Sequence, residues 1–209
     1  LKGKIYIPSD KSISHRALIL GSLAVGKTSI FGLLESEDVF KTANALKALG
    51  ADIYKEKDYW CIHGVGVGGF CEPDDIIDCG NSGTSVRLLM GVVSTCPIKA
   101  TFTGDDSLRK RPMDRVVKPL SEFGSKFSTN FDFKLPINVN GTSEPFPINY
   151  TLKIPSAQVK SAILLAGLNV RGRTKVTENE PTRDHTEKML KSLGADIYTK
   201  KKGLQNIIS

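Results

Sequence analysis

The sequence predicts an α/β protein built from about three copies of one unit of roughly 70 residues. Two observations carry this. First, ALKALGADIY at 45–54 returns as MLKSLGADIY at 189–198, with a weaker relative, PLSEFGSKF, at 119–127. Their glycines, Gly50, Gly124 and Gly194, lie 74 and 70 residues apart. Second, DKSISHRALILGSLA, GNSGTSVRLLMGVVS and IPSAQVKSAILLAGL each open with small polar residues and place one basic residue just before a strongly apolar helix. Those cations, Arg16, Arg87 and Lys160, are spaced 71 and 73 residues apart. They stand 30, 33 and 30 residues before Leu46, Leu120 and Leu190, the first leucines of the other repeated segment. Two features keeping one period three times are hard to obtain by chance.

Each unit reads, in order, as polar turn, buried helix, strand, amphipathic helix and strand. The first helix is apolar on all sides, the signature of a buried one. The following stretches, LAVGKTSIFG, STCPIKATFTG and NVRGRTKVTEN, align as a turn leading into the β-rich runs TSIF, ATFT and TKVT. The second helix ends at its glycine, where a left-handed residue stops the helix. A short run that could be a strand follows, such as ADIY.

One motif conflicts with this order. GSLAVGKT, Gly21 to Thr28, fits the P-loop pattern G-x-x-x-x-G-K-[ST]. That pattern works only between a strand and a helix. Here Lys27-Thr28 falls at the turn after a helix, SIFG is β-prone, and the other two copies have no G-K-[ST]. The sequence therefore argues against a nucleoside-triphosphate site.

Lys and Arg number 29 against 22 Asp and Glu, a net charge of +7 that favours anionic partners. The basic residues form no single tract and do not interleave with aromatics, which argues against nucleic acid. No apolar run reaches the length of a membrane span, and the N-terminus has no signal-peptide pattern. Cys61, Cys71, Cys79 and Cys96 form no C-x-x-C pair, and His15, His63 and His185 are isolated. This pattern predicts reduced thiols in a cytoplasmic protein rather than a metal site.

The starts of the three apolar helices are the candidate site. A helix N-terminus has unpaired N–H groups and the positive end of a dipole, so it attracts anions. The first offers Lys11, Ser12, Ser14 and Arg16. The second offers Asn81, Ser82, Gly83, Thr84 and Arg87, and the third Ser156, Gln158 and Lys160. Packed around a common axis, three such ends could converge on one surface. GDDSLRKRPMDR at 104–115 adds Arg109, Lys110, Arg111 and Arg115, and guanidinium forks suit phosphate or carboxylate. In EPTRDHTEK, at 180–188, Asp184 and His185 read as cap and dipole partners of a helix rather than an acid–base pair.

The segments DKSISHRALILGSLA, GNSGTSVRLLMG, LRKRPMDRVVKPLSEFG, PSAQVKSAILLAGL and EPTRDHTEKMLKSLGADI together resemble the 5-enolpyruvylshikimate-3-phosphate synthase family across nearly the whole chain. The last two look like the variety often called class II. The sister family, the UDP-N-acetylglucosamine enolpyruvyl transferases, has Lys-Asn at Lys11-Ser12 and a reactive Cys in the loop that here reads LRKRP. Both differences argue against it.

The resemblance implies one domain of the enolpyruvyl transferase fold, three βαβαββ units around a pseudo-threefold axis. The units span about 8–80, 81–150 and 151–209, and residues 1–7 are the stub of a strand from a second domain. It also implies transfer of the enolpyruvyl group of phosphoenolpyruvate to the 5-hydroxyl of shikimate 3-phosphate, with no cofactor or metal. Lys11 is then expected to touch both substrates, and Ser12 and Arg16 to hold the shikimate ring and carboxylate. Gly83, through its backbone, and Arg111 are expected to bind phosphoenolpyruvate. Ser156, the Ala157 backbone and Gln158 are expected to grip shikimate 3-phosphate, with Arg183 near its phosphate. Leu88 and Ser82 stand where many relatives have Pro and Ala.

Family members are about twice as long and take their acid–base carboxylates from the other domain, so no catalytic residue is assigned here. The chain, which starts without Met, reads as an N-terminal half that is inactive alone. A separate C-terminal half is a candidate partner. The rival readings are a non-catalytic remnant or split-enzyme piece, a P-loop nucleotidase, and a nucleic-acid binder.

Overall fold

A computed structural model describes residues 8–129 and 132–209. Along the chain lie α1 (Lys11–Leu23), β1 (Val25–Phe31), α2 (Glu37–Ala48), β2 (Asp52–Lys55), β3 (Tyr59–Val65) and β4 (Ile77–Asp78). Next come α3 (Gly83–Ser94), β5 (Lys99–Thr103), α4 (Asp106–Arg109), α5 (Asp114–Ser121), β6 (Lys126–Thr129), β7 (Ile137–Asn140) and β8 (Asn149–Thr151). The last are α6 (Ala157–Gly167), β9 (Lys175–Glu178), α7 (His185–Ser192), β10 (Thr199–Lys202) and β11 (Gln205–Ile208). Residues 1–7, expected to be a strand stub, lie outside the described residues.

Helices α1, α3 and α6 are apolar around most of their circumference and are buried accordingly. Leu18 and Ile19, Leu88 and Leu89, and Ala162 and Ile163 are all fully inaccessible. The amphipathic α2, α5 and α7 each bury one stripe, including Val39 and Leu46, Val116 and Leu120, and Leu190. The sheets close the core from outside through alternating residues such as Ile53, Phe102, Ile137, Val139 and Val176.

The described residues form three sheets, with strand orders β1-β3-β2, β4-β5-β7-β6 and β8-β9-β11-β10. In the second, β4 and β5 run parallel around the crossover helix α3, with Ile77 opposite Phe102. In the third, β8 and β9 do the same around α6, with Tyr150 opposite Val176. The remaining strands in each sheet pair antiparallel. Beside β1, the place filled by β4 and β8 in the other sheets has no strand among the described residues.

The glycines that end α2, α5 and α7 adopt left-handed backbone, with φ of 101° at Gly50, 102° at Gly124 and 85° at Gly194. A side chain there would clash with the following carbonyl, so glycine marks these exits.

Three expectations need correction. Arg16, Arg87 and Lys160 do not precede their helices. They lie inside them, six, five and four residues after the caps Asp10, Ser82 and Ser156, so they are not equivalent. The second ADIY is not a strand. Tyr198 pairs with Ser209, and residues 195–197 have no strand opposite them among the described residues. Lys27 and Thr28 lie within β1, not in a turn. The register with β3 runs unbroken from Val25 to Phe31, and the next helix begins only at Glu37. A P-loop needs its helix at once, so this geometry excludes one.

Candidate anion-binding site at the helix N-termini

Short polar side chains cap the three buried helices. Asp10 accepts from the Ile13 amide at 2.8 Å, Ser82 from Ser85 at 3.1 Å and Ser156 from Val159 at 3.3 Å. Each cap satisfies one of the four orphan N–H groups of its helix and leaves the positive dipole end in place.

Side chains then tie these ends together. Gln158 donates to Thr84 Oγ1 at 2.9 Å and accepts from Arg87 Nη1 at 2.9 Å, joining α6 to α3. Arg16 Nη2 donates to Ser161 Oγ at 2.8 Å, joining α1 to α6. His15 Nδ1 meets Thr42 Oγ1 at 2.7 Å, and Thr42 meets Ser85 Oγ at 2.5 Å, linking α1 and α3 through α2. Burial, the leading cause, lowers the His15 pKa to about 4, and its Nε2 is buried without a partner.

Gly83 is the point of closest approach. A Cβ there would lie 2.6 Å from Arg87 Nη1 and 3.2 Å from Arg111 Nη1, so two guanidinium groups flank it. Arg111 comes from the loop between α4 and α5 and donates to Asn81 Oδ1 at 2.7 Å. Burial, and then the charges of Arg111 and Arg115, lower the Arg87 pKa. On the other side, the exposed Arg183 donates to Ser12 Oγ at 3.4 Å. Among the described residues, none of Arg16, Arg87, Arg111 and Arg183 forms an ion pair with a carboxylate. Four arginines without a direct ion pair, gathered near three helix N-termini, make a site that attracts a polyanion.

The expected residues do not all present themselves alike. Ser12, Arg111, Ser156, Ala157 and Gln158 are half-buried, and Lys11 and Arg183 are exposed. Lys11 pairs with Asp38 at 2.7 Å. Gly83 is buried. Arg16 lies deeper than expected, at 4% exposure, with Nε on Thr186 Oγ1 at 2.7 Å and Nη1 on Ser12 O at 2.9 Å. With Ser161 also bound, three of its five N–H donors are used and two remain. Asp184 occupies the cap position of α7 but makes no capping hydrogen bond. Its carboxylate pairs instead with Lys188 at 3.0 Å, which lowers its pKa.

Lys160 is not part of this surface. It is fully buried between Glu178 at 3.0 Å and Glu187 at 2.7 Å. The sequence did carry a signal: a lysine inside the apolar run of α6 must find carboxylates if it stays charged. Thr186 and Ser161 were also missed, because nothing local marks a threonine or serine as the seat of a distant arginine.

An apolar cavity of about 530 Å³ opens elsewhere, at the C-terminal ends of α1, α6 and α7, lined by Leu23, Leu168 and Leu193 among others. It lies at the opposite helix ends from the four arginines and is lined mainly by apolar side chains, with Arg173 and Asp196 also in its wall. No helix among the described residues is long and apolar enough to cross a membrane.

Comparison with known proteins identifies the family and the fold. The chain is 58% identical over 198 residues to the 3-phosphoshikimate 1-carboxyvinyltransferase of Cereibacter sphaeroides, covering 94% of this chain and 44% of that protein. It is 56% identical over 210 residues to the enzyme of that name from Zymomonas mobilis, covering 100% of this chain and 46% of the relative. The solved EPSP synthase from Acinetobacter baumannii superposes with a TM-score of 0.91 at 44% identity, over 99% of this chain and 46% of that one. The chain thus spans about half the length of the relatives it matches. The family model for EPSP synthase (3-phosphoshikimate 1-carboxyvinyltransferase) matches residues 1–209, and the chain belongs to that family.

Proposed function

We propose that the chain is the N-terminal half of a 3-phosphoshikimate 1-carboxyvinyltransferase and carries mainly its shikimate 3-phosphate half-site. In this reading it is one three-unit domain, with units at about 8–80, 81–150 and 151–209. The reaction moves the enolpyruvyl group of phosphoenolpyruvate to the 5-hydroxyl of shikimate 3-phosphate and releases phosphate. The observation that carries the proposal is the gathering of four unpaired arginines around three capped helix N-termini.

Each residue type suits its role. Ser156 caps α6, and the Ala157 amide and Gln158 lie in its first turn, where backbone N–H groups lack helical partners. Gln158 is held from both sides, by Arg87 and Thr84, so little ordering entropy remains to be lost on binding. Arg183 and Ser12 act on the phosphate and ring of shikimate 3-phosphate, with Arg16 contributing its two remaining donors. The Gly83 backbone and Arg111 receive phosphoenolpyruvate, and Lys11 lies near the reacting hydroxyl.

Addition and elimination both need proton transfer. The half-site supplies anion binding and orientation. The acid–base carboxylates come from a second half, which is the proposed protein partner. The chain works in the cytoplasm and needs no cofactor or metal.

Mixing tests this. The purified chain, free of host enzyme, is combined with a separately produced C-terminal half of the Cereibacter sphaeroides relative, and phosphate release is followed. The chain alone gives no turnover, and the mixture gives turnover. Activity of the chain alone, or none after a complex has demonstrably formed, contradicts the proposal.

A further inference from the structure

Lys160 is fully inaccessible, yet it carries two carboxylates, Glu178 at the end of β9 and Glu187 in the first turn of α7. A buried ion pair is poor evidence for stability, since well-packed apolar residues of similar volume often do as well or better. What the group holds is more informative. Glu178 turns its other oxygen, Oε1, outward, where it accepts from the Thr182 amide at 3.2 Å and from the Thr182 hydroxyl. That double contact pins the segment between β9 and α7 immediately before Arg183, which reaches Ser12. Glu187 follows Thr186, whose hydroxyl receives Arg16 Nε at 2.7 Å and meets Ser161 at 2.7 Å. The Glu187 charge also acts on Arg16, and its Oε2 is buried without a hydrogen-bond partner. Lys160 is thus one centre from which two chains of contacts lead to two of the four arginines.

We propose that Lys160 is a positioning residue: through Glu178 it sets the segment that presents Arg183, and through Glu187 it sets the first turn of α7 that seats Arg16. This rests on the substrate reading above for its ligand, but the anchoring itself can be read without one. The third of the three cations then serves the anion site from below, while the half-buried Arg87 and the buried Arg16 take part in it directly.

The test uses the full chain. One variant neutralises the whole group (Lys160→Met with Glu178→Gln and Glu187→Gln), which avoids stranding a buried charge. A milder one, Thr182→Val, removes only the hydroxyl contact. Amide hydrogen exchange at Thr182 and Arg183, thermal unfolding, and calorimetric affinity for shikimate 3-phosphate are measured for each. Exchange at these two amides is expected to rise on the order of tenfold in the neutralised variant and less in Thr182→Val, with little change in the unfolding midpoint. Affinity for shikimate 3-phosphate is expected to fall on the order of tenfold, with no further loss when Arg183→Ala is added to the neutralised variant. Unchanged exchange in both variants overturns the anchoring role whatever the ligand does, as does an affinity loss that adds fully to that of Arg183→Ala. Wild-type chain that fails to bind, while the variants still loosen the segment, overturns the substrate reading and leaves the anchoring supported.

Discussion

Arg87 and Arg111 crowd against Gly83 without a direct ion pair to a carboxylate, Asp105 reaching Arg111 only through Asn81, an arrangement that an arriving anion stabilises. His15, buried on α1 and hydrogen-bonded to Thr42, shows the cost of burial in a titratable group. Its folded pKa of about 4 lies below the ordinary 6.5, so the unfolded chain takes up a proton first as pH falls. The stability this contributes is fully present above pH 6.5 and is lost between 6.5 and about 4, on the order of 3 kcal/mol in all. Urea unfolding across that range is expected to show the loss, and His15→Gln to remove most of its slope. Lys27, the centre of the P-loop match, is expected to matter little. Its pairing with Glu56 at 3.6 Å is exposed, so Lys27→Ala shifts the unfolding midpoint by no more than about 2 °C and leaves ligand binding unchanged. Most of the residues that gather in the candidate site were legible at this scale, because helix-start signatures name their own residues. Lys160 was misread because spacing along the chain cannot say which way a side chain points on its helix.

Among the elements, the buried helices and their caps were legible because apolar runs and N-cap chemistry are local. The hairpin partners β3, β7 and β11 and the short crossover strands β4 and β8 were not read from the residues alone. Two- to seven-residue strands get their order from pairing, which no local pattern reports. The two near-identical decapeptides make the point. Asp52 to Lys55 is a strand because β3 lies alongside, whereas the equivalent residues before Tyr198 have no such neighbour. The approach of α3 to α6 gives a prediction at this scale. A Cβ on Gly91 would lie 2.5 Å from the Ala162 carbonyl oxygen, which is backbone and cannot swing away. Gly91→Ala is therefore expected to cost about 1–3 kcal/mol in chemical denaturation, although Ala favours helix. A stability equal to or above wild type would show that the two helices can separate without loss.

In the molecule as a whole, the three helix N-termini meet at one end and the apolar cavity lies at the other, among the helix C-termini. The four arginines gather at the first end, whereas the cavity at the other is lined mainly by apolar side chains with Arg173 and Asp196 among them, so the candidate anion surface follows from the parallel packing of α1, α3 and α6. Family membership was legible because five separated segments, each tied to one of these helix ends or to α5 and α7, occur in the same order. The pairing inside the site was not, since it joins residues as far apart as Ser12 and Arg183. The most direct test of the account is calorimetric titration of the purified chain with shikimate 3-phosphate, alongside Gln158→Ala and Arg183→Ala. Saturable heat is expected for the wild type, with a loss of at least about tenfold in affinity for each variant. No heat from a correctly folded wild type, or equal affinity in all three, would contradict the claim that these helix ends form a working half-site.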